Sequence, residues 1–216
     1  MGFSFPGTNF GAITASALSP PTVGSISFWI RPASLGGTQR ICATGDAFEG
    51  RFDGTTLFND FAKSGSNSLN FGTFSNGTLY HLVATWSLST AVGQCYRDGA
   101  FFSSDSTRNT VSNGTFSLSG RPGTGNFFAG QMYDVRIYNR IILPAEIVTI
   151  FNSEGNDSIV NGLQNRWRMD EGSAGTVFSG AGASKDIGPS RLDLSSSTAP
   201  PTYVYDAAIG GRRRLT

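Results

Sequence analysis

Apolar and polar residues alternate with a period of two through most of the chain, the mark of half-buried strands. In "SISFWIRP", Ile26, Phe28 and Ile30 share one face, while Ser25, Ser27, Trp29 and Arg31 share the other. Pro32 ends that run. Residues 38–44 predict a second short strand. Residues 50–62 predict a hairpin around Asp53-Gly54, a pair that tolerates positive φ. Asn76-Gly77 predicts another hairpin turn, leading into a long strand in which Tyr80, Leu82, Ala84 and Trp86 face one way. A third hairpin turns at Asp98-Gly99, and residues 114–120 predict a further short strand. In "NFFAGQMYDVRIYN" Val135 and Ile137 point to a core, with Met132, Asp134, Arg136 and Tyr138 on the opposite face.

The period changes once. In "LPAEIVTIFNSEG" Ile147, Ile150 and Phe151 fall at i, i+3 and i+4, which predicts one short helix over about 143–153. Pro144 suits its first turn, Glu146 complements the dipole and Gly155 suits its end. Alternation then returns. Leu163, Trp167 and Met169 oppose Gln164, Arg166 and Arg168, and "SRLDLS" adds one more strand. Residues 199–216 read as an extended tail. Many short strands, turn pairs at regular spacing and one helix predict an all-β fold, a jelly-roll sandwich of two antiparallel sheets.

Composition agrees. The chain has 216 residues, with 28 Gly, 17 Phe and only 14% charged residues. That length suits one domain, burying roughly 70% of its unfolded surface. The net charge of +1 offers no global field for nucleic acid or an acidic membrane. Arg212, Arg213 and Arg214 form a short basic cluster, either a solvated end or a docking tail. Cys42 and Cys95 lie in strand-like segments, where a buried free thiol is the default. A disulfide between them stays open, since spacing does not decide it. The first residues lack the pattern of a signal peptide, so synthesis in the cytoplasm is expected. No apolar run is long enough to span a membrane as a helix.

Three phrases in order resemble the laminin-G-like, concanavalin A-like jelly-roll family. They are "SFPGTNFGAITASALSPPTVGSISFWIRP", then "LYHLVATW" with "CYRDGAFF", then "FAGQMYDVRIYNRIILPAEI". The later "GLQNRWRMDEGSAGT" and "KDIGPSRLDL" resemble that family's first strand and first loop, displaced to the C-terminus. The resemblance therefore implies a permuted single domain over 1–198, with 156–198 supplying the first strand beside the N-terminal one. The alternative is that 156–216 begin a second, truncated copy. The order of segments, with "APPTYVY" and the arginine cluster, resembles proteins of tailed phages and environmental viruses.

The residues argue against catalysis. Glycoside hydrolysis needs two carboxyls about 5–9 Å apart on one face. Glu49 and Asp53 have the spacing, but Gly50 and Asp53-Gly54 predict a turn there. Asp170 and Glu171 are adjacent and would point oppositely on a strand. His81 stands alone mid-strand, with no nucleophile elbow and no zinc or phosphate-loop pattern. A calcium ion, which the resemblance allows at a sheet rim, needs only oxygens and a flexible turn, with Asp46, Asp60, Asp134 and Asp170 as candidate ligands. For Asp134 the competing reading is a same-face ion pair with Arg136. Sugar binding, the common role of the family, would draw on Trp29, Tyr96, Arg97 and Tyr133, each equally readable as an ordinary sheet residue.

The expectation is a non-enzymatic virion-surface protein, a head-decoration or fibre-associated module. Its partners would be capsid or fibre proteins and glycans, with homo-oligomers compatible. The alternative is a stand-alone, calcium-dependent carbohydrate-binding module; a degenerate glycoside hydrolase ranks third.

Overall fold

Alternating side chains place one face of each long strand against another sheet. The computed structural model describes residues 1–8, 11–63, 69–121, 123–196 and 200–205. In β3 (Val23–Pro32) Ile26, Phe28 and Ile30 are fully buried in the main core. In β8 (Tyr80–Ser87) Tyr80, Leu82, Ala84 and Trp86 meet them there.

All strand pairs are antiparallel, and the described strands form two sheets. The eight-stranded sheet runs β10 (Ala100–Asp105), β9 (Val92–Arg97), β8, β3, β12 (Ala129–Tyr138), β1 (Gly2–Pro6) and β15 (Thr202–Val204), with β13 (Leu163–Trp167) also paired to β12. The seven-stranded sheet runs β14 (Leu194–Ser196), β2 (Ala12–Leu18), β11 (Gly114–Leu118), β4 (Thr38–Gly45), β5 (Phe48–Asp53), β6 (Thr56–Asn59) and β7 (Asn70–Thr73). Aromatic rings join the layers. Phe116 of β11 stacks on Trp167 of β13 at 5.2 Å, and Phe48 of β5 meets Trp86 of β8 edge-on at 5.3 Å.

The single described helix, α1 (Pro144–Asn152), covers the outer face of the eight-stranded sheet. Ile147 and Ile150 pack there on Val83, Tyr96 and Tyr138. Glu146 accepts from the Leu143 N–H at 2.7 Å and pairs with Arg140, fixing the helix start.

The C-terminal third belongs to the same core. Trp167, Met169, Phe178, Leu194 and Tyr203 share it with Phe3 and Phe28. β13 does not lie side by side with β1, as expected from the sequence. Both run along the same edge of β12, end to end: β1 pairs with residues 129–132 and β13 with 135–138. Residues 202–204, in the segment read as an extended tail, pair with β1 and bury Tyr203. The arginines of the docking tail, Arg212–Arg214, lie outside the described residues.

Two further expectations change. Asn76-Gly77 closes no hairpin, because β7 and β8 belong to different sheets; the turn carries the chain between layers. Phase also slips inside β12. A bulge separates Tyr133 from Arg136, with Asp134 at φ +46. Met132 therefore joins Val135 and Ile137 in the core, while Tyr133 turns outward.

That bulge aims Asp134 into a buried cluster. Its carboxylate accepts from Arg136 at 2.6 Å and from Arg166 of β13 at 2.7 Å. Arg136 also pairs with Asp157 at 2.8 Å, and both arginines donate to the Gly155 carbonyl, at 3.1 and 2.6 Å. Only glycine fits at 155, where φ is +78 and a Cβ would strike the Asp134 carboxylate. Burial alone would raise Asp134, yet the two arginines hold it below the ordinary carboxylate value.

Breaking such a cluster from one side leaves a buried charge uncompensated. Arg166→Ala should therefore destabilise the fold by about 3–5 kcal/mol in urea unfolding. Lys185→Ala, which removes an exposed pair with Asp193, should cost less than about 1 kcal/mol. A chain ending at Asn156 should lack a cooperative unfolding transition, since it loses Trp167 and Tyr203 from the core.

Candidate functional site

A binding site is most recognisable where polar groups remain without partners. On the outer face of the seven-stranded sheet the charged side chains are paired with one another, although Asp60 Oδ1 and Arg121 Nη1 are buried without a hydrogen bond. Glu49 and Asp53 were expected in a turn, but both lie on β5, with Arg51 between them on the same face. Arg51 pairs with Glu49 at 3.4 Å, Asp53 at 2.7 Å and Asp60 at 3.7 Å. Arg40 adds a bond to Glu49 at 3.0 Å, and Arg121 bridges Asp46 and Glu49. The charges answer one another and hold the strands together. Burial pushes Asp60 up to about 6, against the pull of Arg51.

The four aspartates considered for calcium are dispersed. Asp46 faces Arg121, Asp60 faces Arg51, Asp134 faces two arginines, and Asp170 lies 3.1 Å from Arg168. Among the described residues no three His, Cys, Asp or Glu side chains gather where a metal ion would sit. A calcium ion would meet guanidinium groups at each of these positions, so the residues present do not fit it.

The four side chains considered for sugar also part company. Tyr96 lies beneath α1 and donates to Gln94 at 3.0 Å. Arg97 stacks over Tyr80 and Phe74, 4.5 and 4.8 Å from their centroids, and donates to the Thr73 carbonyl at 2.8 Å. It clamps β9 to β7. Trp29 and Tyr133 do come together, paired across β3 and β12 on the outer face of the eight-stranded sheet.

Over Trp29 the last turn of α1 forms a pocket of about 390 Å³. Its wall is Trp29, Leu79, Phe151, Asn152 and Glu154. Phe151 stacks on Trp29 at 5.7 Å and on His81 at 6.0 Å. Gly99, at φ +81 in the β9–β10 hairpin, lets that turn close against Phe151. Trp29 is 4% exposed, and its Nε1–H is buried without an acceptor. Among the described residues, the side chains of Asn152 and Glu154 make no hydrogen bond or ion pair. Behind Trp29, His81 Nε2 lies 2.9 Å from Ser27 Oγ and its Nδ1 has no partner. Burial drives the imidazole down to about 3, so it is neutral at ordinary pH. Ser27 and His81 are sealed from solvent and serve as packing beneath the pocket.

Glu154 and Asn152 were missed in the sequence. The available signal was weak: an acidic residue just before the glycine that ends the helix, with no basic residue in the last turn. Cys42 and Cys95 are buried free thiols, and burial raises both.

Comparison with known proteins gives the following. A family model described as the concanavalin A-like lectin/glucanases superfamily matches residues 6–148, which leaves β13, β14 and β15 outside the match. A candidate carbohydrate binding protein from Bacteroides ovatus superposes with a TM-score of 0.67 at 15% identity, covering 95% of this chain and 63% of that one. The heptameric SAP-like pentraxin of Limulus polyphemus gives 0.54 at 15% identity, covering 92% of this chain and 95% of that one. Trypanosoma rangeli sialidase gives 0.53 at 20% identity, covering 71% of this chain and 28% of that one. The chain thus spans less than two thirds of the Bacteroides protein and little more than a quarter of the sialidase. No curated protein sequence matches it.

Asp60 supplies a test of the charged sheet face. Its folded value of about 6 lies above the ordinary 3.8, so the folded chain keeps a proton that the unfolded chain gives up. Stability should therefore fall as pH rises from about 4 to about 6. Asp60→Asn should flatten that decline in urea midpoints measured across the range. An unchanged decline would mean that Asp60 titrates normally.

Proposed function

The chain belongs to the concanavalin A-like lectin/glucanases superfamily, and from that premise we propose that it is a carbohydrate-binding module whose site is the Trp29 pocket. The observation that carries this reading is the conjunction of an aromatic floor with unpartnered polar groups. The half-buried Phe151 ring, backed by the buried Trp29, offers surface to the apolar face of a sugar, while Trp29 Nε1, Asn152 and Glu154 offer a donor, an amide and an acceptor for hydroxyls. A hydroxyl entering beside Trp29 supplies the acceptor that its indole lacks.

Hydrolysis is not part of the reading. Cleaving a glycosidic bond draws on two carboxyls flanking it, and the pocket wall carries Glu154 alone. Glu49, Asp53 and Asp60 are held by Arg51 on the other sheet. Nor does binding call on calcium, since every aspartate considered for it is engaged by an arginine.

Two settings were expected for such a module, a virion surface and a free-standing domain. The five residues of the pocket wall come from this one chain, as the free-standing form requires and a virion-attached form also allows. Attachment to capsid or fibre proteins would be a second property, carried by other surfaces. We read residues 156–198 as the superfamily's opening strand and loop relocated to the end of the chain. The support is that β13 lies outside the family match yet continues the line of β1 along β12.

The reading is tested on a glycan array, run with calcium and again with EDTA. The expected result is binding that persists in EDTA and that Trp29→Phe, which keeps a ring and removes the donor, weakens by about 5–10-fold. Binding abolished by EDTA would contradict the calcium-free site, and binding indifferent to Trp29→Phe would place the sugar elsewhere.

A further inference from the structure

The Trp29 pocket is electrically one-sided. Glu154 is a carboxylate that, among the described residues, makes neither an ion pair nor a hydrogen bond, and it stands on the pocket wall. The C-terminal end of α1 lies beside it, with no basic residue in the last turn to offset the negative end of the helix dipole. The half-buried Phe151, stacked on Trp29, adds the negative side of a ring quadrupole. Two of the nearby positive charges are neutralised, since Arg136 and Arg166 are bonded to Asp134, and Arg136 also to Asp157; a third, Arg31 on the same face of β3 as Trp29, is directed to the Gly77 carbonyl at 3.0 Å. Glu154 and the helix end favour a cation.

The wall decides which kind. Calcium and magnesium take a cage of oxygens, and one carboxylate among aromatic and aliphatic groups does not make one. An organic ammonium suits the site, because its charge meets Glu154 while its carbon body lies against ring and Leu79. A pocket of about 390 Å³ is of small-ligand size. Resting on the glycan reading above, we infer that the Trp29 pocket selects sugars carrying a free, protonated amino group, seated against Glu154. An N-acetylated sugar is uncharged at that nitrogen and loses the interaction.

The experiment is calorimetric titration of the whole chain with four probes at low salt and at a pH where the amine is protonated. The probes are a β-1,4 glucosamine tetramer, its fully N-acetylated counterpart, the glucose tetramer and tetramethylammonium. The glucosamine tetramer is expected to bind at least about tenfold more tightly than the other two sugars, and to weaken as salt is added. Glu154→Gln is expected to bring it down to their level with no change in unfolding midpoint, and Asn152→Asp to tighten it. Equal binding of all three sugars, or a Glu154→Gln variant that keeps the preference, overturns this inference and leaves the glycan reading intact. Binding of tetramethylammonium with no sugar bound overturns the glycan reading and leaves the charge preference. No binding by any probe overturns both.

Discussion

Two arginines buried against two aspartates hold this molecule together at one place. Asp134 reaches them from a bulge whose φ of +46 is uncommon for any residue but glycine. Arg166 arrives on β13, Arg136 on β12, and Asp157 on the segment after α1. Charges of both signs cancel inside the cluster, which is what makes its burial tolerable. The same guanidinium groups grip the Gly155 carbonyl. Glu154 immediately precedes that carbonyl and Asn152 ends the helix before it. The cluster that docks the C-terminal strand therefore also sets the rim of the pocket.

The outer faces of the two sheets use polarity in opposite ways. On β4 and β5 each charge has found its counter-charge, and the network reads as strand cross-links. On the other sheet α1 shields most of the face with Ile147 and Ile150, then its last turn rises over Trp29. There the pairing stops. An indole donor, an amide and a carboxylate are left without partners around an aromatic surface. The same locality explains why Arg97 and Tyr96, attractive as sugar contacts in isolation, are not available: one is clamped between rings and carbonyls, the other lies under the helix.

Much of the architecture was legible because alternation is a local property. Residues 25–32 and 80–86 declared their inward faces, and the 3.6-residue stripe declared α1. What escaped was whatever depended on phase or partner. The bulge at Asp134 exchanges the faces of Met132 and Tyr133, and a fixed period of two has no means of marking it. Asn76-Gly77 has the chemistry of a hairpin turn, yet which strands it joins is decided by packing. Glu49 and Asp53 looked like turn residues because Gly50 and Gly54 flank them; β4 and β6 pull them into a ladder. Trp29 and Tyr133 were each visible as a candidate sugar contact, but that they share a face follows from the bulge. Glu154 was not, since its significance lies in pairing with none of the arginines among the described residues, Arg136 and Arg166 beside it being bonded to Asp134 and Asp157, which only the folded chain reveals.

The central claim is that a ligand enters beside Trp29, and the indole N–H groups report on it directly. Trp86 Nε1 already donates to Pro21 at 2.7 Å and Trp167 Nε1 to Leu192 at 2.8 Å, whereas Trp29 Nε1 has no acceptor. A ¹H–¹⁵N spectrum of the three indoles should be recorded while the glucosamine tetramer is added. The account predicts a progressive, saturable shift of the Trp29 resonance, with those of Trp86 and Trp167 unmoved. A saturating ligand that leaves Trp29 unmoved, or that shifts all three alike, would contradict it.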